Sequence, residues 1–300
     1  MKIAVIGAGK WGSALYDALS VHNECVITSY HNKDIPNFVS TDIALECEYL
    51  IFALYAQGSY EWLKNNFKDC DHKILVASKG IDFKSLKFMD EIFMDFIASD
   101  RICFLSGPSF ALEVLEKKPC ALVISGKNKQ LCSKFSSFFP KYVKTYISND
   151  VKGAEICGAY KNVLAIASGV CDGLKLGNNA RASLVSRGLV EMHRFGRYFN
   201  ASEETFLGLS GAGDLFLSAS SPLSRNYRVG FNLAQNKNLE QILQELGEVA
   251  EGVQTAFAIH SLAQKYQIYT PIVNEVVFML NGKNIQKCVA DLMLSKEEIQ

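Results

Sequence analysis

The first twenty residues constrain this chain more than any other stretch. KIAVIG, residues 2 to 7, is a short β-branched run that stops at GAGKWG, with glycines at Gly7, Gly9 and Gly12. SALYDALSVHN then continues with helical apolar spacing at Ala14, Leu15, Ala18 and Leu19. Strand, glycine turn and helix in that order bring backbone N–H groups and the positive end of a helix against a pyrophosphate, an approach that side chains would block. The alternative is a tight structural turn with no ligand. Because the apolar run ends at Gly7, the start of the chain reads as a strand and not as a secretion signal.

The same rhythm repeats downstream. ECVITSY (Glu24 to Tyr30), YLIFAL (Tyr49 to Leu54), KILVAS (Lys73 to Ser78), RICFLS (Arg101 to Ser106), CALVIS (Cys120 to Ser125) and VKTYIS (Val143 to Ser148) read as strands. Helices are expected between them at Tyr60 to Phe67, Phe110 to Leu115 and Lys129 to Phe138, the alternation of a mostly parallel sheet. Ligands of such sheets lie beyond the carboxyl ends of the strands. Lys79-Gly80 falls at one such end, and Gly107-Pro108 turns the chain after another, with Ser109 as the expected helix cap. The second strand runs into Tyr30, His31, Asn32 and Lys33, without the Asp or Glu that selects NAD, so a 2′-phosphate is not repelled there; this tilts the reading towards NADP, with use of both cofactors open.

After Asn149 strand signals vanish, and helical spacing alternates with glycine or proline. A boundary near 148–152 divides the chain into an α/β dinucleotide-binding domain (1–149) and an all-α substrate and catalytic domain (150–300). The helical half opens on GAEICGAYKNVLAIASGVCDG, Gly153 to Gly173, where Cys157, Lys161, Ala165 and Ser168 share one face of a small, apolar helix. Burial there lowers a lysine's pKa towards neutrality and fits it for proton exchange, whereas a snorkelling head group would stay an ordinary ammonium. Three further clusters accompany Lys161. LSGAGDL (Leu209 to Leu215) presents Asp214 on a glycine-rich turn, able to hold a lysine head or accept a substrate hydroxyl. SRNYRVG puts Ser224 at a helix N-cap with Arg225 and Asn226 on the first turn, a cradle for phosphate. EVAEGVQTA (Glu248 to Ala256) places Glu251-Gly252 before a helix.

Taken in order, these motifs resemble the bacterial NAD(P)-dependent glycerol-3-phosphate dehydrogenase family over nearly the whole chain. The family's GAGxWGxAL opening is GAGKWGSAL here, its KG is Lys79-Gly80, its GPSFAxEV runs from Gly107 to Val114, and its KN is Lys161-Asn162. GAGDLFLS from Gly211 to Ser218 carries serine for the usual threonine, SRNxxxG runs from Ser224 to Gly230, and EG is Glu251-Gly252. The resemblance implies a Rossmann-type domain followed by a helical one, and reduction of dihydroxyacetone phosphate to sn-glycerol 3-phosphate for phospholipid synthesis. It implies Lys161 as proton donor and acceptor, and Lys79, Gly107, Ser109, Asp214, Ser224, Arg225 and Asn226 as further substrate contacts. NAD(P)H would lie against Gly7, Gly9, Lys10, Trp11, Gly12, His31, Lys79, Ala111, Arg225, Val249 and Glu251. Two features depart from the family: a shorter segment after the second strand, and Ala53-Leu54-Tyr55 in place of a valine-proline-serine run. Both lie beside the adenosine half of the cofactor, so the resemblance does not fix cofactor preference or the role of His31.

Composition narrows the partners. With 31 basic and 31 acidic residues the chain has no net electrostatic footprint for nucleic acid or an anionic membrane. No uninterrupted apolar run reaches the length of a membrane span. The nine cysteines are odd in number and lack a CxxC pair, as reduced core residues of a cytoplasmic protein would be. No metal site is expected, and the apolar helical half is compatible with a homodimer. Two rival functions remain: another β-hydroxyacid or ketopantoate-type reductase, distinguished by a substrate without phosphate, and a sensor that binds NAD(P)H without turnover.

Overall fold

A computed structural model describes residues 2–247 and 249–294, so Glu248 at the head of the EVAEG segment and the last six residues of the expected helical domain lie outside the described residues. Strands β1 (Lys2–Ile6), β2 (Glu24–Thr28), β3 (Tyr49–Phe52), β4 (Lys73–Val76), β5 (Ile102–Ser106), β6 (Cys120–Ser125) and β7 (Val143–Ser148) form one sheet in the order β2-β1-β3-β4-β5-β6-β7. Every neighbouring pair is parallel except β5 with β6. Strands β1, β3 and β4 are buried along almost their whole length, as central strands covered on both faces must be. The covering helices are α1 (Lys10–Ser20), α2 (Thr41–Ala44), α3 (Ala56–Asn66), α4 (Met89–Met94), α5 (Ala111–Leu115) and α6 (Lys129–Ser136). Strand β1 has β2 on one side and β3 on the other, so the chain changes direction across the sheet there and opens a crevice at the carboxyl end of β1.

The structure trims the sequence reading at that edge. Tyr30, Leu54 and Ser78 lie beyond the ends of β2, β3 and β4, because the chain leaves the sheet two residues early to build the crevice rim. Helix α3 starts at Ala56 and not Tyr60, and α6 ends at Ser136. Helices α2 and α4, of four and six residues, are too short for apolar periodicity to announce them. Eight of the nine cysteines are buried or half-buried free thiols, but Cys70 is exposed.

The rest of the described chain is helical: α7 (Val151–Gly173), α8 (Asn178–Tyr198), α9 (Glu203–Leu207), α10 (Asp214–Ala219), α11 (Arg225–Leu233), α12 (Leu239–Leu246), α13 (Glu251–Tyr266), α14 (Pro271–Leu280) and α15 (Ile285–Leu294). Helix α7 is buried on every side for most of its length, which its small residues permit, and α8, α10, α11 and α13 pack around it. Against α11 the contact is backbone to backbone. A Cβ on Gly169 would lie 2.0 Å from the Tyr227 carbonyl oxygen, and one on Gly230 would lie 1.8 Å from that of Ile166. Further along α7, the Tyr160 hydroxyl donates to the buried Glu191 carboxylate of α8, which also accepts the Ile272 and Val273 N–H groups at the start of α14. Among the described residues no helix is long and apolar enough to cross a membrane.

The α7–α11 contact sets the spacing between Lys161 on one helix and Arg225 on the other. Gly230→Ala is expected to force the pair apart and lower the free energy of unfolding by about 2–3 kcal/mol, read from urea denaturation. An unchanged midpoint and slope would show that the helices have room to give.

Candidate active site

Three chain segments converge on one carboxylate. After β4 the backbone turns at Gly80, with φ +135°, and sends Lys79 across to α7, where Gly158 leaves space for its stem: the Lys79 Cγ lies 3.4 Å from where a Cβ on Gly158 would sit. After β5 the chain turns at Gly107, with φ +106°. The third segment, LSGAG, is not the open loop that its glycines suggest. Leu209–Gly213 winds into a single π-helical turn that runs directly into α10, and such turns recur at functional sites. The Ser210 hydroxyl in this turn shares a 2.7 Å hydrogen bond with the Ser106 hydroxyl at the end of β5. That bond pins the helical half to the sheet one residue from Gly107.

The turn delivers Asp214, only 1% exposed, between two ammonium groups. Lys161 Nζ donates to its Oδ1 at 2.5 Å and Lys79 Nζ to its Oδ2 at 2.8 Å, with the Gly107 carbonyl accepting a second, longer bond from Lys79 at 3.4 Å. Burial pushes Lys161 down to about 8; Asp214 opposes that shift and the second ammonium of Lys79 adds to it. Burial alone would raise Asp214, but the two ammonium groups outweigh it and hold the carboxyl below its ordinary value. The head of Lys161 is therefore inside, not snorkelling; the residue is 8% exposed.

Helices α11 and α13 close the other side. Ser224 caps α11, accepting the Tyr227 N–H at 3.3 Å, as its position in SRNYRVG suggests. The side-chain oxygen of Asn226 accepts the Gly252 N–H at 3.0 Å, which leaves its NH₂ end as the donor for a ligand. Glu251 and Gly252 do not precede a helix, as read from the sequence, but are the first two residues of α13 itself, with Ala250 at the N-cap. A Cβ on Gly252 would lie 2.7 Å from Asn226 Oδ1 and 2.8 Å from the Asn162 carbonyl oxygen, so α13 starts tight against α7 beside Lys161. Burial raises Glu251 to about 7, against the pull of the Arg225, Lys79 and Lys161 charges around it. Tyr55, standing where the family motif has serine, is raised by burial and by the nearby Glu251 carboxylate. Ser109 is half-buried and donates to the Gly107 carbonyl at 3.3 Å; it does not cap α5, whose N-cap is Phe110.

The remaining expected residues lie at the glycine turn or at its rim. A Cβ on Gly12 would meet the Gly7 carbonyl oxygen at 1.7 Å, and one on Gly7 (φ +109°) the Ala53 carbonyl oxygen at 2.6 Å. Gly9 is the N-cap of α1, without a side chain over the helix end, and Lys10 and Trp11 form its first turn. The cradle thus fits a dinucleotide's pyrophosphate: bare backbone at a helix N-terminus, open at the crevice. Ala111 and Trp11 both pack against the small cluster of Ala14, Ala18 and Val114. His31 is exposed, edge-on to the Tyr30 ring at 4.9 Å, and Val249 is also exposed. Two features had no clear sequence signal, Ser106–Ser210 and the space at Gly158; a small residue three positions before a buried lysine is the only hint of the latter. Among the described residues no cluster of three or more His, Cys, Asp or Glu is arranged to hold a metal.

Known proteins share this design. Residues 32–132 match the family profile for the NAD-dependent glycerol-3-phosphate dehydrogenase N-terminus, and residues 150–290 match that for its C-terminus. A glycerol-3-phosphate dehydrogenase [NAD(P)+] of Campylobacter lari is 79% identical over 299 residues, covering 100% of both chains. The chain belongs to this family. A Campylobacter jejuni protein of the same name is 65% identical over 98% of this chain and 99% of its own. A solved glycerol-3-phosphate dehydrogenase from Coxiella burnetii superposes with a TM-score of 0.90 at 29% identity, covering 98% of this chain and 99% of that one. As a member of the glycerol-3-phosphate dehydrogenase family, the chain uses NAD(P)H and NAD(P)+, and its glycine turn has the bare backbone that a pyrophosphate requires. Gly12→Ala is expected to weaken NADH and NADPH binding by at least about tenfold, measured by cofactor fluorescence, because the added methyl breaks the turn. Unaltered affinity would mean that the turn is not the cradle.

Proposed function

We propose that this protein reversibly reduces dihydroxyacetone phosphate to sn-glycerol 3-phosphate with NAD(P)H, in the cytoplasm, and so supplies glycerophospholipid synthesis. The observation that carries this reading is the buried Lys161 amine, brought down to about 8 on Asp214, with Glu251 lying within reach of its charge and of that of Arg225. The division of labour follows the sequence reading: residues 1–149 hold the cofactor, and 150–300 supply the catalytic helix and the phosphate cradle. When bound, the nicotinamide supplies hydride to the ketone carbon. Lys161 gives its proton to the carbonyl oxygen as negative charge develops there, and in the oxidative direction its neutral amine takes that proton back. Asp214 fixes the amine's position, and Lys79 on the other carboxylate oxygen points a second cation at the same place. Gly107 and Ser109, on the turn after β5 where the Gly107 carbonyl accepts from Lys79, are the further contacts for the substrate.

Arg225 and the amide NH₂ of Asn226, on the first turn of the Ser224-capped helix α11, are the donors for the phosphate. Contacts at that end, remote from the carbonyl, hold the ketone in place for reaction. A phosphate cradle beside a proton donor favours this substrate over the unphosphorylated hydroxyacids of ketopantoate-type reductases. A sensor without turnover has no use for a lysine of this kind. A homodimer through the helical half is supported by its exposed apolar side chains, among them Val190 and Phe278, and sedimentation velocity reads it directly.

The reading is tested by comparing dihydroxyacetone phosphate with dihydroxyacetone in wild-type and Arg225→Ala proteins. Wild type is expected to turn over only the phosphorylated ketone efficiently, and Arg225→Ala to lose about 2–4 kcal/mol in kcat/KM for it, the cost of a truncated charge-assisted contact. Equal rates with the two ketones would contradict the cradle, and no turnover of either would favour the sensor.

A further inference from the structure

Where the ends of β4 and β5 meet α7, the packing leaves a cavity of about 10 Å³ bordered by Ser78, Lys79, Ser106, Glu155 and Gly158. That is room for one water molecule. Two of the bordering side chains bring it unspent hydrogen-bonding capacity: among the described residues the buried Glu155 Oε2 and Ser78 Oγ have no hydrogen-bond partner. The Glu155 side chain is only 6% exposed and stands six residues before Lys161 on the same helix. Its other oxygen, Oε1, accepts the Asp90 N–H at 2.8 Å, and the Lys152 ammonium lies 3.8 Å from Oε2. Lys152 also pairs with Asp90 at 2.6 Å and with Glu91 at 3.8 Å, and these side chains reach the surface. Burial first, and then the charge of Asp90, hold the Glu155 carboxyl well above its ordinary value against the pull of Lys152, which favours the protonated acid. The mechanism described above gives this buried acid nothing to do.

Reduction of a ketone consumes one proton per turnover, and Lys161 must recover the one it gives. We propose that Glu155 resupplies it, through a water held in this cavity and the Lys79–Asp214 ion pair. The inference rests on the proposed reaction. After Lys161 Nζ has protonated the alkoxide, it takes a proton from Asp214 Oδ1 while Oδ2 takes one from Lys79 Nζ, the two contacts already in place. Lys79 recovers its proton from the water, and the water recovers its own from Glu155. Each N–H or O–H bond broken is replaced by one formed, and nothing is oxidised or reduced. Glu155 is left as a carboxylate beside Lys152 and is protonated again from solvent at the Lys152–Asp90 end. In the oxidative direction the same chain carries the proton out. Glu155 touches neither substrate nor cofactor, so it acts as a positioning and relay residue for Lys161.

The test is stopped-flow oxidation of reduced cofactor by dihydroxyacetone phosphate in wild-type, Glu155→Gln and Ser78→Ala proteins. Glutamine keeps the shape and neutrality of the acid but has no proton to give. The first turnover spends the proton already on Lys161, and only later ones need the relay. Glu155→Gln is expected to keep the wild-type first-turnover rate and KM, while its steady-state kcat falls about tenfold and becomes more sensitive to deuterated solvent. Ser78→Ala keeps the acid and removes one holder of the water; it is expected to lose about fivefold in kcat with the same unaltered first turnover, and it decides the matter if Glu155→Gln does not fold. Steady-state rates within about twofold of wild type would overturn the relay, and so would a first turnover slowed as much as the later ones, the mark of a structural acid. Wild-type protein that does not turn over dihydroxyacetone phosphate would overturn the proposed reaction and the relay with it, whereas active wild type with unaffected variants overturns the relay alone.

Discussion

A single buried carboxylate shared by two ammonium groups organises this protein. Asp214 compensates Lys161 and Lys79 together, so the cluster keeps a net positive charge inside the fold. Breaking such a pair by removing one partner leaves an uncompensated buried charge, which proteins tolerate poorly. The same excess of cation makes the cluster a fit place for an anionic substrate and a developing alkoxide. Stability and chemistry therefore make opposite demands on the same atoms: full compensation would quiet the site, and under-compensation keeps Lys161 ready to part with its proton.

What holds that arrangement is close packing of backbone. The glycines on α7 and α11 bring the helix of Lys161 and the helix of Arg225 into direct contact, Gly252 seats α13 against both, and Gly158 makes room for the stem of Lys79. A core packed this tightly transmits small displacements to the site. The Ser106–Ser210 bond performs the same service between the sheet and the π-helical turn, so the position of Asp214 is referred to β5 as well as to its own helix. Lys79 comes from the sheet and Lys161 from the helical half, and their common partner makes the cleft a junction of the two.

Much of this was legible in the sequence where the signal is local. A β-branched run, three glycines and an amphipathic helix specify the first βα unit almost without context, and a lysine in a run of alanines, glycines and cysteines declares its own oddity. That Asp214 could hold a lysine head was read from its turn, but that it holds both Lys79 and Lys161 was not, because those partners are 135 and 53 residues away. Whether the Lys161 head turns in or out depends on a carboxylate that no periodicity locates. The glycines of LSGAGDL suggested a loop; the π-helical turn depends on long-range contacts, including the one to Ser106. Ser109 looked like a cap because serine commonly is one, but its hydroxyl is turned to Gly107, and the cap position passed to Phe110.

The account stands most directly on the protonation of one amine. Carbon-13 labelling of the lysine side chains, with Lys161→Arg used to assign the resonance, gives its titration curve in the intact protein. A midpoint near pH 8 is expected. With that midpoint the ammonium form needed for reduction is lost as pH rises through it, and the neutral amine needed for oxidation is gained. A midpoint near the ordinary lysine value of about 10.4 would contradict the account, since an amine so placed is solvated and has no special readiness to exchange a proton.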